Sequence, residues 1–286
     1  MRKGKQMKRD LYQEVTDRII KALESGTAPW VKPWNATNYG MPVNGATGRA
    51  YSGINVFLLW ASPYTDNRWY TFKQAQGKKG CVRKGEKGTG IIFFKPLVKK
   101  DDDGKEQVIP LIRGFTVFNH EQIEWENEET IEESEIEITF VEAENMVSAT
   151  AAKIKHGGAR ACYNMHTDQI SMPTIDSFKS EADYWGTMLH ELTHWTGHKS
   201  RKNRQFGKRF GDNAYAVEEL VAEMGAAFLC AQSGVEGKLQ HAEYISSWLK
   251  VLKQDKKAVF TAAKQAQQAA DFVVAFSQEE KAEQAA

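Results

Sequence analysis

The most chemically informative part of this 286-residue chain is the run HELTH at residues 190–194. It places His190 and His194 four residues apart, with Glu191 directly after the first histidine. On a helix, residues i and i+4 lie one above the other, so both imidazoles face one side and can bind the same Zn²⁺ ion. A carboxylate beside that ion can take a proton from an activated water molecule. The spacing therefore predicts a zinc-dependent hydrolase with Glu191 as its general base.

A third metal ligand is expected from the next apolar stretch, residues 214–232, which contains three glutamates. We predict Glu219 as the ligand. Glu223 lies one helical turn further on, and it is the candidate to hydrogen-bond a ligating histidine or to replace Glu219. Glu218 points about 100° away on the helical wheel and is expected to be a solvated surface carboxylate. His198 is the rival third ligand, although it lacks the spacer found in the HExxHxxGxxH pattern.

These roles require the histidines to lie on a helix whose other face is buried. Ser180 and Asp183 form a capping-box pattern that predicts the start of this helix, and Gly197 predicts its end. Apolar residues recur between them at helical spacing, which predicts that the histidines face a cleft. Tyr215 and His198 are the candidates for stabilising an oxyanion.

Charge divides the chain into two unlike halves. Residues 1–100 contain 19 Lys and Arg against 6 Asp and Glu, a net charge of +13, whereas the whole chain carries +1. Such a basic half predicts a polyanion partner, most simply nucleic acid, with attraction to a membrane surface as the alternative. The residues expected to contact DNA are Trp30, Lys32, Trp34, Arg49, Arg68, Trp69, Lys73, Lys78, Lys79, Arg83, Lys84 and Lys87.

Aromatic residues lie between many of these cations, and aromatic rings stack on unpaired bases. No recognition helix or zinc-finger pattern is present in the sequence, so single-stranded DNA is favoured over a duplex. For any one of these aromatic residues, burial in a core is the simpler interpretation, and for any one lysine a solvated surface is. The prediction therefore depends on the collective pattern.

Length and composition favour an α+β protein of two domains. We predict a small basic α+β DNA-binding domain at residues 1–125, an acidic linker with seven glutamates at 126–137, and a mainly helical metal-binding domain at 138–286. Strands at 91–98 and 108–117 are expected to form a hairpin. Helices are expected at residues 8–25, 143–155, 180–195, 214–232, 239–253 and 258–276, with short strands within 161–173 and a frayed tail at 277–286.

Other features limit where the protein acts. The sequence has neither a signal-peptide core nor a long apolar run, so we expect it in the cytoplasm and not in a membrane. Cys81, Cys162 and Cys230 are widely spaced and form no CxxC pair, which argues against a disulfide framework or a thiolate zinc site. Cys230, in an apolar stretch, is expected in the core.

The chain also resembles a known family, the ArdC-type antirestriction proteins of conjugative plasmids, with relatives among phage polyvalent proteins and plasmid primases. The resemblance covers nearly the whole chain. Its N-terminal motifs are APWVKPW (28–34), TGRAYSGIN (47–55), RWYTFKQAQ (68–76), VRKGEKGT (82–89) and RGFTVFNHEQIE (113–124). Its C-terminal motifs are RACYNMHTDQISMP (160–173), HELTHWTGH (190–198) and EELVAEMGAAFL (218–229).

The resemblance implies a single-stranded-DNA-binding domain followed by a gluzincin-like metallopeptidase domain. In gluzincins a glutamate on a following helix completes the metal site, which agrees with Glu219 and leaves Glu223 open. Such a protein coats incoming plasmid or phage DNA while it is single-stranded and shields it from host restriction. One zinc ion is expected, with other divalent ions as the alternative, and a protein substrate remains unidentified. The alternatives are a non-catalytic DNA coat with a structural or regulatory zinc site and, ranked last, a metal-dependent nuclease.

Overall fold

The computed structural model describes residues 10–31, 40–100, 106–126, 139–207, 213–236 and 244–284 of this mixed α+β protein. The helices in these residues are α1 (Leu11–Glu24), α2 (Ile54–Trp60), α3 (Phe72–Gly77), α4 (Val141–Ser148), α5 (Glu181–Thr196), α6 (Asn213–Ser233), α7 (Ile245–Gln254) and α8 (Ala258–Gln284). The strands are β1 (Val43–Asn44), β2 (Arg68–Tyr70), β3 (Gly80–Val82), β4 (Thr89–Lys100), β5 (Glu106–Asn119), β6 (Ile123–Trp125), β7 (Lys153–His156), β8 (Cys162–Asn164) and β9 (Gln169–Met172).

The N-terminal half is built around a four-stranded sheet of order β1-β2-β5-β4. Strands β4 and β5 form the antiparallel hairpin that the two apolar runs predicted. Their pairing runs from Thr89 opposite Val117 to Lys100 opposite Glu106. The turn between the strands lies outside the described residues. Ile91 and Ile92 are both buried although neighbours on a strand face opposite ways. The base of this hairpin is therefore covered on both faces. Strands β3 and β6 form a separate small sheet beside it.

The C-terminal half is mainly helical, with a three-stranded sheet of order β7-β9-β8 at one side. Helix α6 is at its centre, and nearly every residue from Glu218 to Ala231 is buried. A helix that is buried on all sides lies in the middle of a core, and α6 carries three buried glutamates among its apolar residues. Helix α8 packs along α6 with a face of fully buried alanines, at positions 262, 263, 266, 269 and 270, whose small side chains allow the two helices to approach closely.

The two halves share one continuous core. Trp30 makes edge-to-face contacts with Phe57 of α2 and Trp248 of α7, with ring centroids 6.1 and 5.5 Å apart. Phe57 also stacks on Phe228 of α6 at 4.8 Å. The two predicted domains are thus packed directly against each other. Residues 127–138, which include all but the first residue of the predicted linker, lie outside the described residues.

Two expectations about element boundaries were wrong. The helix expected at residues 143–155 ends at Ser148, and residues 153–156 form β7, which pairs in parallel with β9. Pairing with a neighbouring strand overrides the weak helical pattern there. The tail expected to be frayed instead continues α8 to Gln284, because its Gln, Glu, Lys and Ala residues are good helix formers. None of the helices in the described part of the chain combines the length and the apolarity needed to cross a membrane.

Candidate metal centre

Helix α5 presents the HELTH run as the sequence pattern predicts. The side chain of Ser180 caps the helix by accepting a hydrogen bond from the backbone N–H of Asp183. The helix ends at Gly197, whose N–H donates to the carbonyl oxygen of His194. A Cβ atom at Gly197 would lie 2.7 Å from the ring of Phe206 and 2.8 Å from the guanidinium of Arg204. The glycine therefore leaves room for the loop at residues 197–207 to fold back against α5.

Close packing of α5 and α6 brings the motif to its third partner. A Cβ atom at Gly225 of α6 would lie only 2.5 Å from Cγ2 of Thr193 on α5, so a larger residue there would push the helices apart. The hydroxyl of Thr193 donates to the carbonyl oxygen of Leu189 at 2.8 Å, which satisfies this buried polar group within its own helix. The helix pair is thus held close at the level of the histidines.

The structure brings together the three residues predicted as metal ligands. His190, His194 and Glu219 each offer one ligand atom, and these atoms lie within 4.8 Å of one another. The Nε2 atom of His190 is 3.6 Å from Oε2 of Glu219, and Nε2 of His194 is 3.7 Å from Oε1. A tetrahedral zinc ion with bonds of about 2.1 Å separates its ligands by roughly 3.4 Å. All three side chains are buried, and their spacing fits one ion.

Glu218 corrects the expectation from the helical wheel. Its side chain is 3% exposed and not solvated, because α6 is covered on the side that an isolated helix would show to water. Its Oε1 atom accepts a hydrogen bond from Nδ1 of His194 at 3.0 Å. A carboxylate in this position fixes the tautomer of a metal-binding histidine and leaves Nε2 for the metal. At His194, Glu218 thus fills the role that was proposed for Glu223, which is buried on α6 outside the three-residue cluster.

Arg204, from the 197–207 loop, holds Glu218 in place. Its Nε and Nη2 atoms donate to the two carboxylate oxygens at 2.9 and 2.8 Å. Its guanidinium also donates to the hydroxyl of Thr196 and to the carbonyl oxygen of Thr193, both at 2.7 Å. Burial alone would raise the pKa of Glu218, but hydrogen bonds from Arg204 and His194 outweigh it and lower the pKa. The carboxylate beside His194 is therefore ionised.

Charges at the cluster are strongly coupled. Burial would lower the pKa of His194, but hydrogen bonds with Glu218 and Glu219 raise it to about 10. Burial would likewise raise the pKa of Glu219, which its bonds with the two histidines instead lower. The histidines and Glu219 thus stabilise each other's charges, and metal binding to such ligands is coupled to the release of protons.

Three further residues predicted near the centre lie at different places. Glu191 is 8% exposed, beside His190 on α5. Tyr215 lies one turn before Glu219, and burial together with hydrogen bonds to Tyr244 and Glu219 raises the pKa of its phenol. The ring of His198, the rival ligand, lies outside the cluster, and its Nδ1 is 2.7 Å from the hydroxyl of Ser200. His198 therefore lies outside the three-residue metal cluster, and Tyr215 and His198 both remain predicted candidates for stabilising an oxyanion.

The predicted DNA-binding residues are divided between the core and the surface. Trp30 and Trp69 are 3% and 2% exposed, so their rings cannot stack on a base in this conformation, and burial in the core was the correct interpretation for both. Arg68 is paired with the carboxylate of Asp66 at 2.6 Å. Lys32 and Trp34 lie outside the described residues. The exposed members are Arg49, Lys73, Lys78, Lys79, Arg83, Lys84 and Lys87.

Four aromatic residues in the same half are exposed: Phe72, which lies in the RWYTFK motif between predicted cations, and three phenylalanines that were not predicted as contacts. Phe72, Phe93, Phe94 and Phe115 are 49%, 53%, 43% and 45% exposed. The doublet at 93 and 94 carries a signal in the sequence, because neighbouring residues on a strand point to opposite faces and a half-buried strand can cover only one of them. Exposed rings near cations suit contacts with unpaired bases.

The chain matches two family descriptions. Residues 9–118 match the N-terminal domain of anti-restriction factor ArdC, and residues 141–265 match a zincin-like metallopeptidase. A zincin-like domain implies a site for a divalent metal ion, which agrees with the cluster between α5 and α6.

Curated relatives include two DNA primases TraC of Escherichia coli, 39% and 38% identical over 98% and 96% of this chain. The chain spans only 28% and 20% of the length of these primases. The uncharacterized protein y4eC of Sinorhizobium fredii is 36% identical, with 92% of this chain and 91% of the relative covered.

Two solved structures of the antirestriction protein ArdC from plasmid R388 are 41% identical to this chain. The metal-free structure superposes with a TM-score of 0.82, covering 95% of this chain and 99% of the other. The Mn(II)-bound structure superposes with a TM-score of 0.78, covering 94% and 98%. With matching sequence, domain order and fold over nearly its whole length, this chain belongs to the ArdC family of antirestriction proteins.

Proposed function

We propose that this protein binds single-stranded plasmid or phage DNA in the bacterial cytoplasm and carries a zinc-dependent metallopeptidase site. The observation that carries the enzymatic half is the buried cluster of His190, His194 and Glu219, with Glu191 beside it. The observation that supports the DNA-binding half is the set of exposed cations around β3 and α3.

Two imidazoles and one carboxylate form a donor set that zinc prefers, and Mn(II) binds R388 ArdC, so another divalent ion is the alternative. Within the described residues no fourth His, Cys, Asp or Glu joins the cluster. Three protein ligands with one open position are typical of catalytic zinc sites, whereas structural sites have four. When bound, such an ion supplies Lewis-acid chemistry that polarises a carbonyl group and acidifies water.

The protein's own groups have distinct roles in this proposal. Glu191 accepts the proton of the attacking water molecule and passes it to the leaving amine. Glu218 keeps the Nδ1 proton on His194, and Arg204 keeps Glu218 ionised and fixed. Tyr215, whose raised pKa keeps the phenol protonated, donates a hydrogen bond where negative charge develops on the substrate oxygen.

The test of the enzymatic half is Glu191→Gln, which removes the base and preserves shape. We expect one metal ion per chain in both proteins and a 10²- to 10⁴-fold loss of casein cleavage, the usual contribution of a general base. Glu181→Gln, an exposed change on the same helix, is the matched control and should cleave normally. Equal cleavage by Glu191→Gln, or no bound metal in the unaltered protein, would refute the proposal.

The DNA-binding half is tested by fluorescence anisotropy with labelled single strands and duplexes over a series of salt concentrations. We expect tighter binding of the single strand, weakening steeply with salt as phosphate contacts release counterions. No binding of single strands would overturn this half. Transfer of a plasmid into a restricting host then separates the activities, because full protection by Glu191→Gln would show that DNA binding suffices.

A further inference from the structure

A cleft of about 720 Å³ lies where the β4–β5 hairpin meets helix α8, so both halves of the chain form its walls. Pockets of this size hold ligands as large as a nucleotide. Three aromatic rings in mutual contact line it, from Tyr12, Phe94 and Phe260, and Phe93 of β4 also borders it. Tyr12 contacts Phe260 edge to face with centroids 4.8 Å apart, and Phe94 lies 6.1 Å from Phe260. The ring of Phe94 is 43% exposed in this cleft, and exposed apolar surface of this kind is typical of a binding site.

Two lysines flank the rings. Lys257, the residue immediately before α8, and Lys264, in the second turn of α8, are exposed and line the cleft. Their seven-residue separation corresponds to about two helical turns, or about 10.5 Å along the axis of α8. Neither forms an ion pair with a carboxylate in the described part of the chain. The ammonium of Lys257 lies 5.3 Å from the ring centre of Tyr12. Cations and aromatic rings are thus interleaved within the cleft.

Hydrogen bonds fix the walls of the cleft relative to each other. The side chain of Asn55 on α2 bonds in both directions with the backbone of Ile92, at 2.7 and 2.9 Å. The side chain of Gln267 on α8 accepts a hydrogen bond from the N–H of Gly53 at 3.0 Å. These contacts tie α2 to both walls, so the rings are presented by a preformed site and not by a loop.

We propose that this cleft receives an unpaired base of the bound single strand, stacked against Phe94 and its neighbours, with Lys257 and Lys264 on the adjoining phosphates. The inference rests on the proposed DNA binding and adds that the path of the strand continues onto the C-terminal half. Cations that form no ion pair within the described residues, placed beside an exposed aromatic ring, favour a polynucleotide over an apolar peptide. A duplex keeps its bases inside, so it cannot fill the site.

The experiment uses the full chain and a labelled oligothymidine of about 20 nucleotides. Lys257→Gln/Lys264→Gln should reduce the slope of log affinity against log salt by about 1.4, which is 0.7 for each lost phosphate contact on a single strand. Phe94→Ala should weaken binding at least about fivefold, the lower limit for one stacked base. Lys153→Gln/Lys155→Gln, two exposed lysines on β7 away from the cleft, is the control for net charge and should keep the original slope.

The outcomes separate this inference from the proposed function. If the unaltered chain does not bind the oligonucleotide, both are overturned. If it binds, and Lys84→Gln/Lys87→Gln weakens binding while both cleft variants bind with the original slope and affinity, only the cleft proposal is overturned. Equal weakening of duplex binding by Phe94→Ala would also refute a site for an unpaired base. Thermal melting checks that each variant is folded.

Discussion

The metal centre consists of buried groups, whereas the basic surface of the N-terminal half consists of exposed cations. This surface comprises Arg49, Lys73, Lys78, Lys79, Arg83, Lys84 and Lys87. At the metal centre, His190, His194, Glu218 and Glu219 are buried, and Arg204 closes the set from the following loop. On the basic surface, the cations are exposed and long, and they lie on short elements and turns. The first site concentrates its chemistry in a few fixed atoms. The basic surface distributes its positive charge over many side chains, so the loss of any one of them removes only a small part of that charge.

This difference has an energetic consequence. A buried polar group must be satisfied by its neighbours, so each residue of the metal centre depends on the others. Exposed charges are screened by water and salt, and each contributes little by itself. Single substitutions should therefore be severe at the metal centre and mild on the basic surface, and the following predictions test that contrast.

The largest effect is expected when a proposed ligand is lost. Glu219→Gln keeps the shape of the side chain but removes its charge, and we expect more than about a 100-fold loss of zinc affinity, above the range for supporting residues. Glu223→Gln, one turn away on α6, should keep the bound metal. Equilibrium dialysis with metal analysis measures both. Retention of metal by Glu219→Gln together with its loss in Glu223→Gln would reverse the assignment of the third ligand.

Removing Arg204 should destabilise the fold. Arg204 and Glu218 are 4% and 3% exposed, and breaking one side of a buried ion pair costs about 3–5 kcal/mol because the other charge stays buried. We expect Arg204→Leu to lower the free energy of unfolding in urea by that amount. Lys253→Gln, which breaks the exposed pair with Glu24, should cost less than about 1 kcal/mol. Equal losses in the two variants would contradict the contrast between buried and exposed charges.

The ion pair of Asp168 with Arg201 is partly exposed, between the buried Arg204–Glu218 pair and the exposed Lys253–Glu24 pair, and its contribution to stability should depend on pH. Hydrogen bonds from Arg201 lower its pKa to about 2 from the usual 3.8, more than burial raises it. A depressed pKa in the folded state stabilises the protein above about pH 4, and this stabilisation is lost as the pH falls towards 2. Asp168→Asn should therefore be less stable than the unaltered protein at pH 6, and the difference should shrink between pH 4 and 3. Chemical unfolding at several pH values measures this, and a constant difference would exclude the proposed linkage.

The smallest effect is expected from a single exposed cation. Lys84→Gln should lower the slope of log affinity against log salt by about 0.7 and weaken single-strand binding only slightly at moderate salt. Trp30→Phe, a change in the core, should leave that slope unchanged although the residue is in a tryptophan-rich basic motif. Anisotropy titrations measure both. Abolition of binding by Lys84→Gln alone would show that the affinity for DNA is not shared among many cations.

The sequence predicted the buried metal centre and the exposed basic surface with unequal success. The positions of His190, His194 and Glu219 follow from helical periodicity, which is a local property, and the structure brings these three residues together. Glu218 was misjudged because the helical wheel assumes one exposed face, whereas α6 is covered on all sides. Trp30 and Trp69 were assigned to DNA by the cations beside them in sequence, but they pack in the core, where large aromatic side chains contribute most to stability.

By itself, the sequence determined the three residues that cluster as candidate metal ligands, the charge division, most helices and the hairpin, because spacing, capping and composition act within short stretches of chain. Only the tertiary structure decided which residue supports the metal centre. Glu218 reaches His194 because α6 packs against α5, and Arg204, 14 residues before Glu218, reaches that carboxylate because the 197–207 loop folds back against α5. It also decided that the two halves share a core and form a cleft at their junction. Such contacts depend on how distant elements pack, which no local pattern encodes.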